Sequence, residues 1–342
     1  MSLAPTIAIR GAPGSPYTRK MLAVLRYKRL PYRYWVGEPP QSDLPRPKVE
    51  LLPTLYLPGA DGSLEAVVDS TPLIRRLDPL VPERAVAPPD PALAFVDALI
   101  EDYGDEWLTK CMFHYRWAFP EDARKAAAIL PLWRNITADP ERMAAAATAF
   151  SERQIGRLHV VGSNAVTASV IEDSYGRFLQ ALDGALSRQP FLMGGRPGAA
   201  DFAVFGQLTQ LAHFDPTPAR LTLERAPRVH AWVDLIEDLS GLEPSDADWI
   251  DVASLRAGLA PLFAEMGRTY APVMLANAAA LAAGDERVET EVEGRPWVQQ
   301  PFPYQGRCVA QLRAIFAALA PDSQTTVREI VADPRCLALI GA

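Results

Sequence analysis

Two hydrophobic periods divide the chain. Up to about residue 77, short β-branched or aromatic stretches alternate with amphipathic helical faces; beyond it the spacing is helical almost to the end. Residues 6–10 read as a strand, closed by the turn Gly11-Ala12-Pro13-Gly14. Tyr17, Met21, Val24 and Leu25 then fall on one side of a helix. Ser15 suits its N-cap. Pro16 suits its first position, where the missing N–H would have had no helical partner. Residues 32–36 read as a second strand and the polar, proline-rich 41–48 as a loop. Strands are predicted at 53–57 and 64–68, joined by the hairpin signal Pro58-Gly59-Ala60-Asp61-Gly62. Asp69-Ser70-Thr71-Pro72 opens a helix through Leu77, so the order is β-α-β, loop, β-β-α.

Prolines 79, 82, 88, 89 and 91 then fix the backbone and remove donors, which marks a linker. Leu93, Val96, Ile100, Tyr103 and Trp107 resume helical spacing. Further helices are predicted over 121–133, 140–158, 170–188, 199–211 and 227–239. The alanine-rich 252–283 is expected to kink or break at Pro261 and Pro272. Residues 288–300 alternate as a strand pair or an extended arm, and 305–319 and 326–331 are helical again. The division is a domain over 1–82, a linker over 83–91, an all-helical domain over 92–243 and a mainly helical extension over 244–342.

A length of 342 residues fits two domains and buries a core without staples. Lys plus Arg number 34 against 41 Asp plus Glu, a net charge of −7, which argues against a globally basic nucleic-acid binder. Cys111, Cys308 and Cys336 lie far apart without a CxxC, and the four histidines show no metal-ligand spacing, so no metal site is expected. A reducing, cytoplasmic setting is expected, with no secretory signal and no run able to span a bilayer.

Three stretches carry candidate chemistry. In Ser15-Pro16-Tyr17-Thr18-Arg19-Lys20 a β-α turn meets a helix N-terminus, where backbone N–H groups and the helix dipole favour an anion. A Ser15 hydroxyl donating to a thiolate would lower that thiol's pKa. Leu51-Leu52-Pro53-Thr54-Leu55 places a proline at the start of a strand, a candidate cis bond that exposes the preceding backbone to an extended ligand. Asp69-Ser70 offers a carboxylate for an ammonium group, and a hydroxyl with helix N–H groups for a carboxylate. Together they describe a receptor for a short thiol peptide carrying both charges.

With these stretches the sequence resembles the soluble, cytosolic glutathione transferases, over about residues 6 to 240. The resemblance implies a two-domain α+β/α fold: a thioredoxin-like domain, an all-helical domain and here a helical C-terminal extension. It implies that Ser15 stabilises the glutathione thiolate, that Leu52 with Pro53 pairs with the cysteinyl backbone, and that Asp69 with Ser70 holds the γ-glutamyl end. Glutathione would be a co-substrate, an electrophilic small molecule the partner, and the protein a homodimer. Gly194-Gly195-Arg196-Pro197-Gly198-Ala199-Ala200-Asp201 resembles the family's helix-opening segment, with Gly198 where the family usually has Ser or Thr and Asp201 at the third helical position. Ser15 and Thr18 stand at both cysteine positions of a Cys-Pro-Tyr-Cys-like motif, which argues against dithiol redox chemistry. The leading expectation is a conjugating enzyme. A non-catalytic binding protein on the same scaffold, and a glutathione-dependent isomerase, lyase or reductase, are the alternatives.

Other signals have plain readings. Tyr17 shares the apolar face with Met21 and reads as core. Around Cys111–Trp117, aromatic core and an Arg116 ion pair are preferred to catalysis, and Cys111 reads as a buried free thiol. Glu101, Asp102, Asp105 and Glu106 read as a solvated face in preference to paired carboxylates for hydrolysis, and Asp234, Glu237 and Asp238 read as a solvated helix face. Arg19, Lys20, Arg26, Lys28 and Arg29 make the first helix basic, for an anion or for solvent. The aromatic arm Trp297–Gln305 reads as packing over the helical domain in preference to a lid on the site.

Overall fold

The computed structural model describes residues 6–37, 44–59 and 61–342; residues 41–43 of the expected loop and Ala60 of the expected hairpin turn lie outside them. The first domain runs β1 (Ile7–Gly11), α1 (Pro16–Tyr27), β2 (Tyr32–Val36), β3 (Thr54–Pro58), β4 (Leu64–Val67) and α2 (Ser70–Leu77). Its sheet has the order β2-β1-β3-β4. The pair β1–β2 is parallel, with Ile7 opposite Tyr32, and α1 supplies the crossover that a parallel pair requires. The other two pairs are antiparallel. Met21, Leu22, Val24 and Leu25 of α1 are buried in one core with Ile7, Ile9 and Leu55. The thioredoxin-like reading therefore holds.

The helical domain begins with α3 (Pro91–Tyr103), capped by Asp90, whose Oδ1 accepts from the N–H of Ala92 and Leu93 at 2.8 and 3.0 Å. A π-helical turn, Gly104–Leu108, joins it without a break to α4 (Thr109–Ala118). There follow α5 (Pro120–Ile129), α6 (Pro140–Ile155), α7 (Ala168–Leu186), α8 (Ala199–Leu208), a second π-helical turn (Thr209–Phe214), α9 (Pro216–Arg225) and α10 (Pro227–Ile236). Helix α9 lies in no predicted segment; Pro216 and Pro218 stand in its first turn.

At α8 the missing cap side chain is supplied from elsewhere. Asp201 Oδ2 accepts from Gly198 N at 2.9 Å, half of a capping box. The other half comes from α3: the Asp97 carboxylate accepts from Ala199 N and Ala200 N at 3.1 and 3.0 Å. A Cβ on Gly198 would stand 2.2 Å from Asp97 Oδ1, so glycine makes room for the substitute cap.

The extension contains α11 (Val252–Arg268), α12 (Tyr270–Ala283), a hairpin of β5 (Val288–Val292) and β6 (Arg295–Gln299), then α13 (Pro303–Ala317), α14 (Pro321–Val331) and α15 (Pro334–Ile340). The expected break at the prolines is corrected: it falls at Thr269. Pro272 sits in the first turn of α12, where no helical partner is lost. Pro261 lies inside α11, and the carbonyl it leaves free, Ala257 O, accepts from Arg188 Nη1 at 3.1 Å. Glu293 and Gly294 turn the hairpin, with φ of 55° and 71°, the left-handed pair that a two-residue turn between twisted strands needs. Trp297 is fully buried, with its ring 5.5 Å from that of Trp107, so the extension is fastened to the helical domain. Among the described residues no helix is long and apolar enough to cross a membrane.

Candidate functional site

A cavity of about 410 Å³ opens where three parts of the chain meet. The first domain contributes Leu51, Leu52 and Pro53 ahead of β3, Asp69 through Pro72 and Arg75 at α2, and Tyr17 from α1. The helical domain contributes Ala98, Glu101 and Asp102 of α3, Asp105 and Glu106 of the π turn, and Thr109. The extension contributes Phe302 and, from α13, Tyr304, Arg307, Cys308, Gln311, Leu312 and Ile315.

Four of the five expected site residues, Leu52, Pro53, Asp69 and Ser70, line this one cavity. The Leu52–Pro53 peptide is cis. Asp69 is the N-cap of α2 and has φ of 78°, yet its side chain caps nothing. Its Oδ2 instead accepts from the Tyr304 hydroxyl at 2.8 Å. Ser70 Oγ accepts from Lys20 Nζ at 3.2 Å. Ser15, the fifth residue, caps α1 through Oγ, which accepts from Thr18 N at 3.3 Å; it is half-buried and is not among the cavity-lining residues.

The expectation that Glu101, Asp102, Asp105 and Glu106 form a solvated face is corrected. All four line the cavity; Glu101, Asp105 and Glu106 are buried and Asp102 half-buried. The cause is packing: the extension and α1 close over them. Burial, with Asp102 and Asp105 close by, pushes the Glu106 carboxyl up to about 8. Burial raises Asp102 to about 7 against the pull of the Tyr270 hydroxyl, which donates to it. Asp105 rises to about 6, since burial outweighs Lys20. Its Oδ2 accepts from Lys20 Nζ at 2.6 Å, while Oδ1 is buried without a hydrogen-bond partner among the described residues. Lys20 is the hub: with 0% side-chain exposure it also bonds Glu101 Oε1 at 2.7 Å. Burial disfavours its charge, but Asp105 and Glu101 hold its pKa above the usual value.

Two more expectations change. Tyr17 lines the cavity, and its hydroxyl donates to Asp105 O at 2.8 Å; burial, then the Glu106 and Asp105 charges, raise its pKa, so the proton stays. The aromatic arm does both jobs: Trp297 packs on the helical domain, and Tyr304 reaches the first domain at Asp69. Cys308 was noted in the sequence only as a lone thiol. It faces the cavity, where burial and the charges of Asp102 and Glu106 keep it protonated. No local pattern marks Cys308 or Tyr304 as cavity residues or Lys20 as the partner of the acids beneath it; their sequence distances from those partners are too large for any helix or strand period.

The basic residues of α1 and of the turn after it pair with acids. Arg19 and Arg26 pair with Glu237, Lys28 with Asp78 and Arg29 with Glu243. Glu237 is therefore not merely solvated. In α4 the plain readings hold. Arg116 grips Asp215 through Nε and Nη2 at 3.0 and 2.9 Å, Cys111 is buried, and His114 is enclosed between Ser163 at 2.8 Å and Glu172 at 3.2 Å.

Residues 10–85 match the N-terminal domain of the glutathione S-transferases and residues 144–235 match their C-terminal domain. No curated protein sequence matches the chain. Solved structures similar to it include a glutathione S-transferase from Methylobacterium radiotolerans, in complex with glutathione sulfonate. That structure is 20% identical, with 70% of this chain and 95% of that one covered, at a TM-score of 0.38. A glutathione transferase family member from Pseudomonas fluorescens, with two glutathione bound, is 15% identical over 76% and 94% of the two chains, at 0.42. A Tau class glutathione S-transferase from mango, Mangifera indica, is 17% identical over 71% and 94%, also at 0.42. With the family's two domains matched in order along a chain that folds into a thioredoxin-like sheet domain and a helical domain, this protein belongs to the glutathione S-transferase family.

Proposed function

We propose that the protein binds glutathione in the cavity between its domains and activates the thiol for attack on an electrophilic carbon. The observation that carries this reading is the convergence of Leu52, Pro53, Asp69 and Ser70 on one cavity wall. Leu52 offers its backbone to the cysteinyl part. Asp69 takes the γ-glutamyl ammonium, and Ser70 with the first N–H groups of α2 takes the adjoining carboxylate. The Asp69 backbone, at a φ of 78°, costs about 1–3 kcal/mol for a residue with a Cβ. That conformation fits a carboxylate turned from its own helix toward a ligand.

Ser15 is the thiolate donor in this reading. Its oxygen accepts from Thr18 N, and among the described residues its own proton has no acceptor. The proton is free for a sulfur placed at the N-terminus of α1, where the dipole also favours the anion. The Tyr17 proton is already given to Asp105 O, which supports Ser15 over Tyr17. The thiolate sulfur forms the new bond to carbon, and the leaving group departs with its electron pair. Phe302, Leu312 and Ile315 give the electrophile an apolar wall.

The test is calorimetric titration with reduced glutathione, followed by a conjugation assay. Asp69→Ala is expected to weaken binding about tenfold to a hundredfold, the loss of one charge-assisted hydrogen bond. Ser15→Ala is expected to bind normally, to slow conjugation at neutral pH and to move the pH–rate profile upward. No binding by folded wild type rejects the reading. Unchanged binding by Asp69→Ala rejects the site, and unchanged rates reject Ser15.

One observation favours a second reading, a binding protein whose site is closed by its own extension: Tyr304 occupies the Asp69 oxygen that the ammonium group would use. In that case glutathione binds only once the Tyr304 contact is removed.

A further inference from the structure

Among residues that do not line the cavity, the π turn after α8 and the face of α10 bring two imidazoles and a carboxylate together. The ligand atoms of His213, His230 and Asp234 lie within 4.8 Å of one another. We propose that these three residues form a binding site for one divalent transition-metal ion, zinc in the first instance.

The geometry prepares the ligands. His230 and Asp234 are four residues apart on α10, so they share one face. His213 comes from the other element, and its ring lies 4.3 Å from that of His230. His213 Nε2 is 3.0 Å from His230 O. A backbone carbonyl only accepts, so Nε2 carries the hydrogen and Nδ1 of the neutral ring carries the lone pair. That lone pair stands 3.6 Å from Asp234 Oδ1. The separation is too long for a hydrogen bond. It is close to the roughly 3.3 Å between two ligand atoms that share a tetrahedral zinc at about 2.0–2.1 Å each. The carbonyl that fixes the His213 tautomer and ring is the usual outer partner of a metal-bound histidine.

Access and charge agree with this. The His213 side chain is 28% exposed and that of Asp234 73%, so an ion enters from solvent and keeps room for water. Two imidazoles and one carboxylate suit zinc, nickel, cobalt or copper and disfavour calcium and magnesium. The bound ion would tie the π turn to α10. The same turn carries Gln210, whose side chain donates to Pro13 O in the loop before Ser15 at 3.2 Å.

The full chain, freed of metal by dialysis against chelator, is titrated with zinc chloride by calorimetry and loaded with cobalt(II) for absorption spectroscopy. We expect one zinc per chain, and at least about tenfold weaker binding in each of His213→Ala and Asp234→Asn. The cobalt spectrum should show d–d bands without thiolate charge transfer. Asp234→Asn changes one exposed group and leaves the fold intact, so its failure to bind reports the site. Absence of zinc binding in wild type overturns the proposal, as does binding undiminished in both variants, which would place the ion elsewhere on the chain. Glutathione binding is no part of this outcome.

Discussion

Two walls face each other across the cavity, and they are built by different rules. The first-domain wall, Leu51–Pro53 and Asp69–Pro72, is made of local devices: a proline at a strand start and a helix cap. The wall from α13 has no local signature at all. It is an ordinary amphipathic helix, brought into place by Trp297 packing on Trp107 and by Tyr304 reaching Asp69. Between them lies the buried acidic floor of α3 and its π turn, held to the first wall by Lys20. A ligand site that relies on short-range rules can be shared by many chains. A cover that relies on long-range packing is particular to the tertiary arrangement that places it.

The comparison breaks most severely at Lys20. Lys20→Met leaves Glu101 and Asp105 buried without their cation, and a loss of about 3–5 kcal/mol is expected in chemical denaturation. A loss under about 1 kcal/mol would mean that the floor keeps its protons and needs no counter-charge.

A smaller effect is expected from the floor itself. Carboxyls whose folded pKa lies above the unfolded one stabilise the fold below the unfolded value, and that stability is lost as pH rises through the folded value. With Asp105 near 6, Asp102 near 7 and Glu106 near 8, melting temperature should fall between pH 5 and pH 9. Glu106→Gln should flatten that fall, with a gain of roughly 2 to 3 kcal/mol at pH 8 and much less at pH 5. Melting curves at the two pH values decide it; equal shifts at both would show that Glu106 does not titrate there.

The smallest effect sharpens the contrast between the walls. Tyr304→Phe removes one hydrogen bond to Asp69, so stability should change by only about 1 kcal/mol. Glutathione affinity should rise a few-fold as the Asp69 carboxylate is released. An unchanged affinity would show that the hydroxyl does not compete with the ligand, and that the two walls act independently.

Much of the fold was legible along the chain because its signals are local. Ser15 with Pro16 announced α1, Tyr32–Val36 its strand, and the alternation over 288–300 its hairpin. Helix α9 lies outside the predicted segments because prolines 216 and 218 signal a helix start only where they stand in its first turn. The burial of Glu101, Asp102, Asp105 and Glu106 is not legible in the sequence, because helical spacing tells which residues share a face but not what covers it.

The sequence by itself determined the β-α-β, β-β-α order and the helical character of the chain beyond it, and it marked Leu52, Pro53, Asp69 and Ser70 as candidates. Caps, turns and periodic burial act within a few residues, and no distant partner is needed to see them. Only the tertiary structure decided that Asp97 would cap α8, that Lys20 would hold the acidic floor, that Tyr304 would meet Asp69, and that His213 would lie beside His230 and Asp234. Those pairings join residues from 17 to 235 positions apart. No backbone period encodes them; at Asp97 and Lys20, burial removes water, so each polar group takes the partner that helix packing brings to it.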